Sequence, residues 1–269
     1  MNIYGHKTLS YLLWRYVLRQ PRLRRVLQRL VYPNKETAVT LLGADLTIHT
    51  QKELGYWRAA QNQLSNIVFR DEVAHIMSVA SLVDNDVTFV DCGANVGLWT
   101  CNIARLNALY PQLRVLAFEA NPDTFARLEK SVSSFCNVRA ICMALSDVPG
   151  EIRMFEAAGS NAFGAHPKHW HIPTESRVIP ALPLDTFLGG IDNIVMKVDV
   201  EGHELSVLKG AEAAQRRHAF KAVFIDGFAA GDEAEILQWF VRAGLRSVLN
   251  GRTLRPFQTG DATVLAIRT

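Results

Sequence analysis

Alternation between strand-like and helix-like segments is the feature that most restricts the fold of this chain. From residue 87 onward, short apolar runs alternate with stretches whose apolar residues recur at helical spacing. The predicted strands are Thr88–Asp91, Val115–Phe118, Val138–Met143, Ile194–Val198 and Ala222–Ile225, and the predicted helices cover residues 98–109, 122–135, 204–216 and 232–243. This order predicts an α/β fold with a doubly wound, mostly parallel sheet that binds ligands at the carboxyl ends of its strands.

The two ends of the chain have different patterns. Two short apolar runs, Arg246–Leu249 and Ala262–Ile267, surround an Asn250-Gly251 turn signal and predict a terminal antiparallel hairpin. Before the sheet, a helix is expected over residues 71–82 and a β-hairpin over Ala38–His49, and residues 8–31 have helical periodicity that Pro21 interrupts. We therefore divide the chain into a helical and hairpin extension, residues 1–60, and a main domain, residues 61–269.

Positive charge is concentrated in the extension. Residues 1–40 contain eight lysines and arginines and one acid, Glu36, which is a charge of +7. Since the whole chain carries +3, the rest carries −4, and the chain does not have the composition of a nucleic-acid-binding protein. The apolar stripe of residues 8–31 could contact an anionic membrane surface as a peripheral helix, or pack on the domain or on the second subunit of a homodimer. Packing is the preferred interpretation.

The cysteines and the hydropathy indicate a cytoplasmic protein. Cys92, Cys101, Cys136 and Cys142 form no CxxC pair, which is typical of reduced thiols in a cytosolic chain. No apolar run reaches 18 residues, and the N-terminus lacks the pattern of a signal peptide. Under the membrane alternative for residues 8–31, the protein would lie at the inner face of the membrane.

A glycine-rich turn follows the first predicted strand. It reads Asp91-Cys92-Gly93-Ala94-Asn95-Val96-Gly97, and its glycines allow backbone to pass close to a ligand. Asp91 at the strand end suits the ammonium group of a zwitterionic ligand. The last glycine comes one residue too early for GxGxxG, which argues against a nicotinamide dehydrogenase.

Polar residues also end the second and third strands. Glu119 is positioned to bond the two hydroxyls of a ribose, as carboxylates do at this place in nucleotide-binding α/β folds. Ser146 and Asp147 end the third strand, where they could reach an adenine amine. Polar groups at three successive strand ends favour an adenosyl ligand.

The fourth strand leads into Lys197-Val198-Asp199-Val200-Glu201-Gly202-His203-Glu204, followed by Leu208-Lys209-Gly210-Ala211. With the motifs above, this run resembles the FkbM family of methyltransferases over about residues 67–228. The resemblance implies a class I methyltransferase fold, S-adenosylmethionine as donor, and a hydroxyl acceptor, usually on a sugar of a polysaccharide, glycolipid or secondary metabolite. By position, it implies donor-binding roles for Asp91, Gly93, Asn95, Glu119 and Asp147, and it places Asp199, Glu201 and Glu204 on the family's acidic motif.

Two other classes of protein could share this fold. An amino methyltransferase of nucleic acids would carry an N/D-P-P-Y/F motif after the fourth strand, where this chain has Asp199-Val200-Glu201-Gly202. A non-catalytic adenosyl-binding protein would share every donor motif, so it stays an alternative.

The general base has two candidates. His203 lies in the first turn of a predicted helix, where the helix dipole disfavours imidazolium and leaves a neutral ring that can accept a proton. The pair Asp199 and Glu201 is the other candidate.

Metal binding is the remaining alternative. Asp199 and Asp226 end adjacent strands and could hold a divalent cation, as in catechol-type methyltransferases, although a turn-capping role for Asp226 is preferred. His166, His169 and His171 lie close together in the segment 160–174, but no cysteine or fourth ligand accompanies them. An acceptor-binding loop is therefore expected there, and no resident metal is predicted.

Overall fold

The computed structural model describes residues 32–61, 70–156 and 175–269. The expectations for residues 8–31, and for His166, His169 and His171, lie outside the described residues. Within the described ranges, no helix is long and apolar enough to cross a membrane.

The chain enters the described part through an antiparallel hairpin, as predicted. Strands β1 (Glu36–Leu41) and β2 (Ala44–His49) are joined by a tight turn at Leu42 and Gly43, which both have positive φ. Helix α1 (Leu54–Gln61), which the sequence did not predict, follows the hairpin. Helix α2 (Arg70–Ala80) lies within two residues of its predicted bounds.

A seven-stranded sheet forms the centre of the described structure. Its strands are β3 (Thr88–Cys92), β4 (Arg114–Glu119), β5 (Val138–Cys142), β9 (Ile194–Val198), β10 (Phe220–Asp226), β11 (Ser247–Asn250) and β12 (Thr263–Ile267). The order across the sheet is β11-β12-β10-β9-β3-β4-β5. Strands β5, β4, β3, β9 and β10 are parallel, and β12 runs antiparallel to both its neighbours, β10 and β11. The mostly parallel sheet and the terminal antiparallel hairpin are therefore confirmed.

The described helices after β3 are α3 (Leu98–Ala104), α4 (Pro122–Val132), α5 (Asp185–Leu188), α6 (Glu204–Lys209), α7 (Glu212–Arg216) and α8 (Glu233–Arg242). All except α5, which the sequence did not predict, follow the predicted order, and α3 and α4 end earlier than expected. The helix predicted over 98–109 ends at Ala104 and continues as a 3-10 turn. The helix predicted over 204–216 is divided at Gly210 and Ala211 into α6 and α7. Position 210 requires glycine, because a Cβ there would lie 2.1 Å from the carbonyl oxygen of Ser146.

A second, three-stranded sheet was not predicted. It consists of β6 (Ala144–Leu145), β7 (Gly150–Glu156) and β8 (Glu175–Leu182), in the order β6-β8-β7. Strand β6 follows directly after β5, so this small sheet begins at the carboxyl edge of the central sheet. It thereby adds a wall beside the strand ends.

The core lies on both faces of the central sheet. Phe89 and Val195 belong to a cluster on one face, and their neighbours Val90 and Met196 belong to a cluster on the other. Apolar side chains of the hairpin, among them Leu46, are part of the first cluster. The described part of the predicted extension therefore shares a core with the main domain.

A buried ion pair fastens the extension to α4. Arg127 Nη2 lies 2.7 Å from Glu53 Oε1, and both side chains are almost completely excluded from solvent. The backbone N–H of Thr47 also donates to the hydroxyl of Ser131 on the same helix.

Candidate active site

A cavity opens at the carboxyl ends of β3, β4 and β9, where the strand–helix alternation predicts a ligand site. Its lining residues come from five regions: the turn after β3, the end of β4, the first turn of α4, the small sheet with the residues just before it, and the loop after β9. They are Gly93, Asn95, Phe118, Glu119, Ala120, Thr124, Met143, Ala144, Leu145, Ile152, Arg153, Met154, Asp199, Val200, Glu201 and His203.

The turn after β3 owes its glycines to packing. Gly93 has φ of +83°, and a Cβ there would lie 1.9 Å from the carbonyl oxygen of Asp199 on the neighbouring strand. Gly97 has φ of +98°, and its Cβ would lie 3.0 Å from the side chain of Leu128. Gly97 and the buried Ala94 are not among the described lining residues, so they shape the turn and leave cavity contacts to Gly93 and Asn95.

Glu119 is held rigidly at the tip of β4. One carboxylate oxygen accepts the backbone N–H of Asn95, and the other accepts the backbone N–H of Asn121, both at 2.9 Å. Burial raises the pKa of this carboxyl to about 7, and the two backbone hydrogen bonds oppose that effect. Each oxygen keeps a second lone-pair direction, so Glu119 can accept two further hydrogen bonds from a ligand.

Asp91 has a protein partner that the sequence did not indicate. The side chain is fully buried, Oδ1 lies 3.2 Å from Lys197 Nζ, and Oδ2 accepts the hydroxyl of Thr100 at 2.7 Å. The sequence predicts that Asp91 binds the ammonium group of a ligand, but in the structure its carboxylate is already paired with Lys197. Of the two aspartates beside Lys197, Asp199 is the one that lines the cavity. Its side chain lies 3.5 Å from Lys197 Nζ and is 35% exposed.

The loop after β9 carries strained backbone. Glu201 has φ of +54°, and Gly202, next to it, has φ of +95°. A left-handed conformation is costly for a residue with a Cβ, and such strain is found preferentially at functional sites. Burial of the carboxyl group, together with the negative charges of Asp199 and Glu204, raises the pKa of Glu201 to about 7. The residue as a whole is exposed, so water screens part of the repulsion.

His203 and Glu204 follow in this loop and begin α6. The Nε2 of His203 lies 3.1 Å from the Oγ of Ser146, at the end of the small strand β6. Glu204 is buried, and its Oε1 accepts the backbone N–H of Gly202 at 2.8 Å, which stabilises the loop. Asp199, Glu201 and His203, the three predicted catalytic residues, therefore meet at one end of the cavity.

The third strand end differs from expectation. Ser146 is buried, and its hydroxyl donates to Asp147, whose side chain is exposed and is not among the described lining residues. The cavity is lined there by Met143, Ala144 and Leu145, and by Ile152 and Met154 of β7. The sequence did not identify this wall, because short runs with mixed polarity did not predict the small sheet.

A second group of polar residues consists of Glu72 and His75 on α2 and Asp226 at the end of β10. Glu72 accepts the indole N–H of Trp99 at 2.7 Å, and burial raises the pKa of this carboxyl to about 7. The ring of His75 contacts that of Phe224 in a tilted arrangement, with ring centroids 4.9 Å apart. The carboxylate of Asp226, at the end of β10, acts electrostatically on Glu72 and His75. Among the described residues, no group of three or more histidines, cysteines and acids is arranged to hold a metal ion.

Comparisons with known proteins agree with the motifs. The methyltransferase FkbM domain model matches residues 91–247, which is more than half of the chain. Hexuronic acid methyltransferase AglP of Haloferax volcanii is 36% identical over 147 residues, which are 53% of this chain and 57% of that protein. Methyltransferase 1 of Beauveria bassiana is 28% identical over 152 residues, which are 48% of this chain and 59% of that protein.

A solved structure of a putative transferase from Pyrococcus horikoshii aligns over 95% of this chain and 84% of its own, with a TM-score of 0.46 and 11% identity. The chain spans less than two thirds of the length of the two sequence relatives named above. The match to the family model and the doubly wound sheet identify the chain as a member of the FkbM methyltransferase family, with the class I fold that its motifs imply.

Proposed function

We propose that the chain transfers a methyl group from S-adenosylmethionine to a hydroxyl oxygen of a sugar-containing acceptor. The observation that carries this proposal is the polarity of the cavity. Glu119 lies at the tip of β4, and Asp199, Glu201 and His203 come together after β9. The first can hold a ribose, and the second group can act on a reacting hydroxyl.

The residues present fit the donor. Glu119 accepts two backbone N–H groups and retains the capacity to accept both ribose hydroxyls. Phe118, Met143 and Leu145 supply an apolar wall suited to a planar base. We assign the adenine to this wall, and Ser146 and Asp147 to its outer edge. The donor's amino group is assigned to the acidic end of the cavity, because Asp91 is paired with Lys197.

When bound, the donor supplies an electrophilic methyl group on a sulfonium cation. The carboxylates of Asp199 and Glu201 favour positive charge at this end of the cavity. The protein must also align the acceptor oxygen with that methyl group and remove the hydroxyl proton. His203 is our first candidate for the proton acceptor, because Ser146 fixes the orientation of its ring; Asp199 with Glu201 is the second.

The proposal of a sugar acceptor depends on sequence similarity. A relative that is 36% identical over the shared region is named a hexuronic acid methyltransferase, which supports a sugar acceptor.

The test has two stages. Calorimetry with S-adenosylhomocysteine should detect binding that Glu119→Ala weakens. Methyl transfer from radiolabelled S-adenosylmethionine should then be measured on a panel of neutral sugars, hexuronic acids and their glycosides. Failure to bind the nucleoside would overturn the donor assignment. Binding with no transfer to any member of the panel would favour the non-catalytic alternative, and transfer abolished by EDTA would favour metal assistance.

A further inference from the structure

Lys197 lies where the two halves of the site meet. Its ammonium donates to the carbonyl oxygen of Gly93 at 2.7 Å, and lies 3.2 Å from Asp91 Oδ1 and 3.5 Å from Asp199 Oδ2. Gly93 belongs to the turn after β3, Asp199 follows β9, and both residues line the cavity. We infer that Lys197 is a positioning residue that ties the carboxylate of Asp199 to the turn after β3.

The strand register explains this arrangement. Lys197 pairs with Asp91 across β9 and β3, and Asp199 lies two residues further along the same chain, so the three side chains lie on one face of the sheet. Apolar residues of the same face, among them Phe89, Val195 and Phe224, belong to the buried core. A cation placed there acts on its neighbours through a medium of low polarity, where charge interactions are strong.

Stability alone does not account for a lysine at this position. Lys197 is 2% exposed. Burial of an ammonium group costs several kcal/mol, and ion pairing offsets little more than this cost. Burial would lower the pKa of Lys197, but Asp91 and Asp199 outweigh this effect and keep the group protonated. Apolar residues of similar volume often replace such buried pairs without loss of stability. The contact of Lys197 with Asp199, which lines the cavity, explains why a lysine is present here.

The charge on Asp199 is where the effect can be measured. Burial raises the pKa of Asp199, Lys197 lowers it, and Asp226 and Asp91 raise it. Charged and titratable groups act on Asp199 from several packed elements: its own strand and loop, β3, β10 and helices α1 and α2. They include Lys197, Glu201, Glu204, Asp91, Asp226, Tyr56 and Glu72. Lys197 is the cation of this set, so its removal and the removal of Asp91 must change the pKa of Asp199 in opposite directions.

The experiment is a carbon-13 NMR titration of aspartate carboxyl groups in the full chain. The signal of Asp199 is identified by its absence in Asp199→Asn. We expect its midpoint to move to higher pH in Lys197→Met, and to lower pH in Asp91→Asn. Lys197→Met leaves the carboxylate of Asp91 buried without a cation, which opposes folding. The double variant Asp91→Asn/Lys197→Met removes both charges and avoids this cost. Its midpoint should also be higher than in the wild type, since the effect of Lys197 exceeds that of Asp91.

A matched control removes another buried pair. Glu53→Gln/Arg127→Met deletes an ion pair of similar burial that lies outside the cavity lining, and it should leave the Asp199 midpoint unchanged. An unchanged midpoint in the Asp91→Asn/Lys197→Met protein, or equal shifts in that protein and in the control, would overturn the inference. The role of Asp199 in methyl transfer rests on the proposed function, but the titration uses neither donor nor acceptor. Its failure is therefore distinguishable from a failure of methyl transfer.

Discussion

The Nε2 of His203 lies 3.1 Å from the Oγ of Ser146, which joins the start of α6 to the end of the small strand β6. The hydroxyl of Ser146 donates to Asp147 Oδ1 at 3.0 Å, so its lone pair is directed to the imidazole. With the hydroxyl proton directed to Asp147, Nε2 is the ring nitrogen that donates in this contact. The contact fixes the orientation of the imidazole ring, which lines the cavity.

The first prediction concerns this histidine. His203→Ala should lower kcat for methyl transfer by about 100-fold or more, the range expected for loss of a positioned general base. Ser146→Ala should lower kcat less, because the ring keeps its basicity and loses only its orientation. His203→Ala should bind S-adenosylhomocysteine as the wild type does. A decrease of only a few fold in His203→Ala would transfer the role of base to Asp199 and Glu201.

Glu119 provides the second prediction. Glu119→Ala removes the charged acceptor of two ribose hydroxyls, and hydrogen bonds to charged groups contribute about 1.5–3 kcal/mol each. Affinity for S-adenosylhomocysteine, measured by calorimetry, should fall at least about tenfold. A circular dichroism spectrum identical to that of the wild type would show that the fold is intact. Wild-type affinity in a folded variant would contradict the ribose assignment.

The same residue predicts a pH dependence. Burial raises the pKa of Glu119 to about 7, and hydroxyl donors favour its ionised form. Affinity for S-adenosylhomocysteine should therefore rise as pH increases through 7 and weaken progressively below it. In Glu119→Gln, which cannot ionise, calorimetry between pH 6 and pH 8 should give a flatter profile. Parallel profiles for the two proteins would assign the titration to another group.

Gly93 gives a prediction about stability. Gly93→Ala places a Cβ 1.9 Å from the carbonyl oxygen of Asp199 and forces a side chain into a left-handed conformation. The cost should be roughly 2–4 kcal/mol from overpacking and backbone strain together. Gly260→Ala is the matched control, because Gly260 has a similar φ of +89° with no atom within 4 Å of its Cβ position. Urea denaturation should show a much larger loss in Gly93→Ala than in the control.

Local signals explain what the sequence predicted correctly. The strands of the parallel sheet are apolar runs with clear boundaries, and Asn121 before Pro122 marks the start of α4, where the asparagine side chain accepts the N–H of Asp123. Both hairpins have glycine-containing turns. Parallel strands bring their carboxyl ends to one edge of the sheet, so residues after different strands were correctly predicted to share one site. The predicted residues that line the cavity are Gly93, Asn95, Glu119, Asp199, Glu201 and His203.

Long-range pairing explains what the sequence did not predict. Strands β7 and β8 pair across a wide gap in the chain, from Gly150 with Ala181 to Glu156 with Glu175, and neither has a strict alternation of polarity. The burial of Lys197 could not be predicted from the sequence for the same reason. A lysine within a strand pattern indicates an exposed position, and only the register with Asp91 reveals its buried partners.

The last prediction separates stability from activity at Glu201. This residue has φ of +54° between β9 and α6, and glycine adopts such a conformation without the clash of a Cβ. Glu201→Gly should therefore relieve about 1 kcal/mol of strain and keep or raise the melting temperature. It should lower methyl transfer, since it removes a carboxylate from the acidic end of the cavity.

Asn193→Gly is the control, because Asn193 has φ of +61° and precedes β9, at the opposite end of the strand. It should change stability by a similar or smaller amount and leave methyl transfer as in the wild type. A Glu201→Gly protein that melts at lower temperature would show that the carboxylate stabilises the loop more than its backbone strains it, and full activity in that variant would remove Glu201 from the proposed mechanism.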